Sequence, residues 1–274
     1  MTERRRSAVG AAGLVLGLVA LMLILILTAL HGVGTDGALY YRLQTDAGIL
    51  PGAGISDGDL QTLDAALAEY LAGRPEALMA PSEAAPGGYA ALALNVNGAV
   101  QPAFNERETA HLEDCRGLFA LLRKVRGRLI PWAVLLIVGG AWLLNDRRRL
   151  RRAAWLSPLV LLIPLGTFAI WALADFDAAF TFFHRLLFRN DLWLLNPRTD
   201  LLIRICPESM FMAMGGMIAL RGLAILAGVP AVATGLSLIW PKQTVKEDHS
   251  WNDNRTTRRA SAYRQKTFDP GSKR

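Results

Sequence analysis

Four long runs of apolar residues constrain this chain before any motif does. Residues 8–30 hold no charge over 23 positions, 129–144 none over 16, 153–174 none over 22, and 210–240 only Arg221 over 31. A helix needs about 20 apolar residues to cross the hydrocarbon of a bilayer. The second run is short, but basic residues flank it and their aliphatic stems lengthen it. Five tryptophans, Trp132, Trp142, Trp155, Trp171 and Trp240, stand near run ends, the depth an indole ring prefers. The first run is longer than a signal-peptide core and ends in Thr28-Ala29-Leu30-His31 without a small-residue cleavage site. It is therefore expected to remain as an anchor. The fold class that follows is an α-helical polytopic membrane protein with four transmembrane helices.

Charge then sets the orientation. The chain carries 30 Lys and Arg against 23 Asp and Glu, a formal +7. Such a surplus raises the question of nucleic acid, but its placement answers otherwise. Arg4-Arg5-Arg6, the turn from Arg147 to Arg152, and the tail 241–274, with nine bases against four acids, all fall on one side of a four-span chain. The positive-inside rule makes that side cytoplasmic, with both termini there. The loops 31–128 and 175–209 are then outside, with twelve acids against eight bases and five against four. The expected divisions are 1–30, an N-terminus with the first span; 31–128, an extracytoplasmic domain; 129–240, the other three spans with an interfacial outer loop 175–209; and 241–274, a basic, disordered cytoplasmic tail. Arg123, Lys124, Arg126 and Arg128 break the pattern by lying outside, just before the second span. There they meet anionic headgroups of the outer leaflet, an attraction of roughly 1 kcal/mol per charge.

The outer segments carry the local signals. Ser56-Asp57-Gly58-Asp59, then Leu60, Leu63, Leu67 and Leu71, then Gly73 and Pro75, read as a capped amphipathic helix. Tyr89–Val96, Asn97-Gly98 and Ala99–Ala103 read as two short strands around an Asn-Gly turn. A further helix starts near Asn105 and runs towards the second span. Together these predict a small α+β domain between the first and second transmembrane helices. On that last helix Glu108, His111 and Asp114 recur at i, i+3, i+6 and share a stripe, with Cys115 one turn from the histidine. A solvated polar face explains that stripe as readily as a site does. In the second loop Phe176, Phe180, Phe183 and Leu187 form an apolar stripe, and Asp177, Thr181 and His184 a polar one. A helix so aromatic lies in the interface, and polar groups at that depth tend to be paired or functional. No Gly-x-Ser-x-Gly elbow, His-Glu-x-x-His motif, phosphate-binding loop or dinucleotide fingerprint occurs. The two cysteines, Cys115 and Cys206, form no Cys-x-x-Cys pair.

One set of motifs is specific. Phe104-Asn105-Glu106-Arg107-Glu108-x-x-His111-Leu112-x-Asp114 is followed, after a span-length gap, by Phe176-Asp177-x-x-Phe180-x-x-Phe183-His184. Asn190-Asp191-x-Trp193, Pro197-x-Thr199-Asp200-Leu201-Leu202-Ile203 and Pro207-Glu208 complete it. Over roughly residues 8–235 the set resembles the four-span bacterial membrane family that contains lipoprotein intramolecular transacylase. The resemblance implies a bacterial cell-membrane enzyme with its active site at the outer face. It would move the sn-2 acyl chain of a diacylglyceryl-cysteine lipoprotein onto the α-amine of that cysteine, leaving a lyso-form lipoprotein. It also implies that His111 and His184 are the catalytic pair, and that Arg107, Asn190, Asp191 and Trp193 belong to the substrate site.

The chemistry asks for such residues. Ester aminolysis needs a neutral amine, a stabilised oxyanion and a protonated leaving alkoxide, and imidazole both takes and returns protons near neutral pH. Asp114 or Glu108 is placed to orient His111, and Asp177 to orient His184. No metal and no organic cofactor is needed. Lipoproteins and outer-leaflet anionic lipids are the expected partners, and nucleic acid is not. Three other readings stay open: a metal-dependent membrane hydrolase built on the same histidines, a non-catalytic four-helix envelope scaffold, and a redox role for Cys115 and Cys206.

Overall fold

The computed structural model describes residues 2–81, 89–144 and 146–239. The basic tail 241–274 lies outside the described residues, as does Asn145 of the basic turn. In chain order the elements are α1 (Glu3–Val33), α2 (Gly37–Asp46), α3 (Leu50–Ala53), α4 (Asp57–Ala72), a 3-10 turn (Pro75–Leu78), β1 (Met79–Pro81), β2 (Tyr89–Ala91), β3 (Ala93–Val96) and β4 (Ala99–Pro102). Then follow α5 (Glu106–Leu144), α6 (Arg147–Leu156), α7 (Leu159–Ala174), α8 (Phe176–Leu187), α9 (Leu201–Ile205) and α10 (Glu208–Ile239). Four helical stretches are long and apolar enough to cross a membrane: α1, α5, α6 continued into α7, and α10. Their outer surfaces expose large apolar side chains such as Val138, Ile163, Ile170, Leu220 and Val232, as lipid-facing surfaces do.

Glycine brings α1 and α5 together. Gly10, Gly13 and Gly17 of α1 face Leu136, Ile137 and Gly140 of α5, and a Cβ on Gly140 would stand 2.5 Å from the Leu14 backbone nitrogen. Backbones this close are held by van der Waals contact, because lipid offers no hydrophobic drive between helices. Leu14 and Leu18 then meet Leu144, Leu150, Ala153 and Ala154, while Met22 and Ile26 meet Leu226 of α10.

The helix predicted to start near Asn105 runs without a break into the second span: α5 is one helix of 39 residues, with Pro131 inside it. At 1.5 Å per residue it measures about 58 Å, so its charged first half, up to Arg128, extends beyond the apolar run 129–144. The third span is in turn interrupted at Ser157-Pro158. Proline has no N–H for the Ala154 carbonyl, which accepts from the Ser157 hydroxyl instead (2.8 Å).

The predicted capped helix and Asn-Gly turn between α1 and α5 form, but the strand predicted over Tyr89–Val96 is broken at Leu92 into β2 and β3, which pair in different sheets. Ser56 caps α4 by accepting from the Asp59 N–H (3.1 Å), and Gly73 closes it at φ 112°. Asn97 and Gly98, both at positive φ (53° and 89°), turn β3 into β4, as a tight hairpin requires. A second antiparallel pair, β1 with β2, was not foreseen. The core of this region draws on distant sequence. Leu60, Leu63 and Leu67 of α4 and Leu94 and Val96 of β3 pack with Leu112 of α5, with Leu201, Leu202 and Ile205 of α9, and with Met210 of α10.

Candidate active site

The site is built at the start of α5. Asn105 and Glu108 cap it reciprocally: the Glu108 N–H donates to Asn105 Oδ1 (3.0 Å) and the Asn105 N–H to Glu108 Oε2 (2.8 Å). Such a pair satisfies helix-end donors that would otherwise be left without partners. Glu108 Oε1 accepts from the Leu202 N–H at 2.6 Å, tying α9 to the same point. Glu108 is buried at 1% exposure, and both its oxygens serve backbone donors rather than His111. Burial pushes its carboxyl upward against those bonds.

The connector from α8 to α9 is fastened to α5 along its length. Asn190 Nδ2 donates to Asp114 Oδ2 (2.8 Å). The Arg107 guanidinium donates to the Asp191 carbonyl. Asn105 Nδ2 donates to Asp200 Oδ1 (2.9 Å), which also accepts from the Thr199 hydroxyl (2.8 Å), while Asp200 Oδ2 accepts from the Asn196 N–H (2.8 Å). Burial opposes ionisation of Asp200, but these donors outweigh it and hold its carboxyl below the usual range. Trp193 is folded in by its indole N–H, which donates to the Asn190 carbonyl (3.0 Å).

This lacing sets the histidines side by side. The rings of His111 and His184 lie 6.1 Å apart at 38°. Phe188 touches both, at 5.1 Å from His111 and 5.6 Å from His184, and Trp193 covers His184 at 4.9 Å. His184 Nδ1 is 2.8 Å from the Phe180 carbonyl. A carbonyl only accepts, so Nδ1 carries the proton and Nε2 keeps the lone pair. That backbone oxygen takes the orienting role expected of Asp177, which lies exposed near the start of α8. His111 Nε2 stands 3.6 Å from Cys115 Sγ, and its Nδ1 is buried without a partner among the described residues.

Burial governs the protonation of both rings. It pushes His111 down to about 4, with His184 adding to the effect and the Asp114 charge opposing it. His184 is also lowered by burial, against the bond to Phe180. The Cys115 thiol is driven up to about 12 by burial and then by Asp114, so it stays protonated. Among the described residues no three His, Cys, Asp or Glu side chains gather as a metal-ligand set. Of the residues singled out in the sequence, His111, His184, Asp114, Arg107, Asn190, Asp191 and Trp193 are thus brought together. Glu108 lies beneath them as a cap, and Asp177 faces outward. Asn105 and Asp200 stand in the motifs, but no spacing rule links side chains 95 positions apart.

The sequence model of the lipoprotein intramolecular transacylase family matches residues 15–211. No curated protein sequence matches the chain significantly. Among solved structures, the membrane integral lipoprotein intramolecular transacylase of Bacillus cereus, with one histidine replaced by alanine, shares the fold with a TM-score of 0.51. It is 21% identical, and the match covers 86% of this chain and 91% of that one. The same protein in another crystal gives a TM-score of 0.49 at 21% identity, covering 85% and 93%.

Proposed function

Because the chain belongs to the lipoprotein intramolecular transacylase family, we propose that His111 and His184 are the catalytic pair of its O-to-N acyl transfer on diacylglyceryl-cysteine lipoproteins. The protein is a multi-pass membrane acyltransferase. The observation that supports the site is the 6.1 Å approach of two buried imidazoles from motifs 73 positions apart. In the reaction the α-amine nitrogen of the lipidated cysteine attacks the carbonyl carbon of the sn-2 ester. A C–N bond forms, the C–O bond to glycerol breaks, and the glycerol oxygen leaves with a proton.

The depressed proton affinity of His111 shapes its part. A free α-ammonium titrates near 7.7–8.0, about four units above His111, a gap of roughly 5 kcal/mol against direct transfer. His111 therefore receives the proton only once the nitrogen has begun to bond to carbon and its N–H has become acidic. The proton that His111 takes passes to Nε2 of His184, which has its lone pair free because Nδ1–H is held by the Phe180 carbonyl, and His184 then gives it to the departing glycerol oxygen, leaving both imidazoles neutral again. Arg107, exposed and using one amino group on Asp191, has N–H groups left for the developing oxyanion, a kind of contact worth about 2.7–4 kcal/mol in known cases. Asn190 is engaged with Asp114 and holds the wall. Both reacting groups belong to one substrate molecule, so orientation supplies much of the acceleration. The distribution of the basic segments supports an outer location for this end of the molecule, with Arg123, Lys124, Arg126 and Arg128 among lipid headgroups.

The test is the N-terminus of a lipoprotein made in a host that lacks N-acylation. Mass spectrometry is expected to show the lyso form with the wild-type chain, and only the diacylglyceryl form with His111→Ala or His184→Ala. Undiminished lyso product from both variants would remove the histidines from the mechanism.

A further inference from the structure

Two arginine–hydroxyl contacts mark the faces of the membrane along α1. At one end Arg149 donates to the Ser7 hydroxyl, and at the other Arg126 Nη1 reaches Thr28 Oγ1 at 3.4 Å. Ser7 and Thr28 are 21 residues apart, about 32 Å along the helix, which matches the hydrocarbon thickness of roughly 30 Å. The level of Thr28 is therefore that of one edge of the hydrocarbon, from which an arginine side chain reaches the headgroup phosphates. Leu226 packs on Met22 and Ile26, so Arg221, five residues nearer the start of α10, comes to about the same level. That accounts for the single charge in the fourth apolar run.

At this level α1 and α5 hold a group of basic side chains that enter none of the ion pairs among the described residues. Arg123 and Arg126 are both within electrostatic range of the His31 ring. The Arg123 guanidinium is packed against Gly73, where a Cβ would come within 2.9 Å of its Nη2. Yet Arg123 Nη1 is buried with no hydrogen-bond partner, and so is His31 Nε2. None of the ion pairs among the described residues involves Arg123 or Arg126. A buried guanidinium N–H without an acceptor is costly. Two buried nitrogens without partners among the described residues, Arg123 Nη1 and His31 Nε2, with the Arg126 guanidinium one helical turn from Arg123 on α5, match a tetrahedral oxyanion that can accept from several donors.

We propose that the outer end of the α1–α5 contact is a binding site for the phosphate group of a glycerophospholipid, held by Arg123, Arg126 and His31. The leaflet concerned, the outer one, rests on the orientation proposed above; the site itself does not. A bound lipid here supplies the missing acceptors and pins the junction from which the first half of α5, with His111, rises out of the membrane.

Native mass spectrometry of the full chain in detergent tests the site, with phosphatidylglycerol, diacylglycerol of the same acyl chains, and inorganic phosphate as probes. One phosphatidylglycerol is expected to stay bound per chain, and diacylglycerol is expected to be lost. Retention should weaken about ten-fold in Arg123→Gln and again in Arg126→Gln, and hold in Arg116→Gln. If the Gln variants fold poorly, Arg126→Lys keeps the charge without the fork and is expected to fall between. Displacement of the lipid by millimolar inorganic phosphate would show a site that reads the free ion as well; resistance to it would show that the lipid is the source. Equal retention of diacylglycerol, or full retention by the Arg123→Gln, Arg126→Gln double variant, would overturn the proposal. Because the measurement is made without a membrane potential or sidedness, an inverted topology would leave its result unchanged.

Discussion

Buried titratable side chains behave differently from their exposed counterparts, and two of them make measurable predictions. His111 is held neutral by burial down to about pH 4, so its own protonation does not silence the enzyme near neutrality. The acid limb of the pH–rate profile is then expected to follow the substrate α-amine, near 7.7–8.0, with no inflection at the ordinary imidazole value. Steady-state rates on a synthetic diacylglyceryl-cysteine peptide between pH 5 and 9 measure this, and a limb centred near 6.5 would contradict it. Asp64 of α4 is the opposite case. It is fully buried, its two oxygens have no hydrogen-bond partner among the described residues, and nearby Gln44 favours its charged form against that burial. Burial pushes its carboxyl up to about 7 from an ordinary 3.8. Between those values the folded protein keeps a proton that the unfolded chain has released, so stability is fullest below about pH 4 and declines as pH rises to 7. The loss is on the order of 4 kcal/mol. Asp64→Asn removes the titration and is expected to raise the thermal midpoint at pH 8, with the gain shrinking towards pH 4. Unfolding curves in detergent that show the same difference at both pH values would refute the assignment.

At the scale of elements, glycine and proline decide how the helices meet and bend. The α1–α5 contact has no room for a side chain: at Gly140 an added Cβ lies 2.5 Å from Leu14 N and 2.9 Å from the Gly10 carbonyl. Backbone cannot give way there, so Gly140→Leu is expected to part the two helices and sharply reduce folded yield. Gly139→Leu, one position along with open space around it, is expected to be tolerated. Size-exclusion profiles of the two variants in detergent separate these outcomes. The glycines were visible in the sequence, but a Gly-rich apolar run does not say which helix its small face will meet. The interruption at Ser157-Pro158 is similarly half legible in the sequence. Proline announced a missing N–H, whereas the Ser157 hydroxyl that serves the Ala154 carbonyl is a matter of rotamer. The capping of α5 shows the same division. Glu108 three residues after Asn105 is a helix-start signal, yet its spacing to His111 suggested a catalytic partner instead. The Leu202 N–H that occupies its second oxygen comes from 94 residues away.

For the whole molecule, the orientation across the membrane makes the last prediction. Single cysteines placed at exposed Gln101 and exposed Arg5, in a chain with Cys115 and Cys206 replaced, are expected to react with an impermeant thiol reagent only from outside and only from inside, respectively. Labelling of intact cells reads both, and the reverse pattern would invert the topology. The spans, the capped α4 and the Asn-Gly hairpin could be read directly from the chain, as could the two histidine motifs, because each depends on local hydropathy, on helical period or on backbone conformation at one or two residues. The core around α4 could not, since it is completed by Leu201, Leu202, Ile205 and Met210. Sequence alone determined that this protein has four stretches long and apolar enough to cross a membrane, and it carried the two histidine motifs. Only the tertiary structure decided that His111 and His184 lie 6.1 Å apart, that a backbone carbonyl orients one of them, and that burial keeps both neutral. Those properties arise from contacts between residues far apart in the chain, and no local pattern encodes the dielectric around a ring.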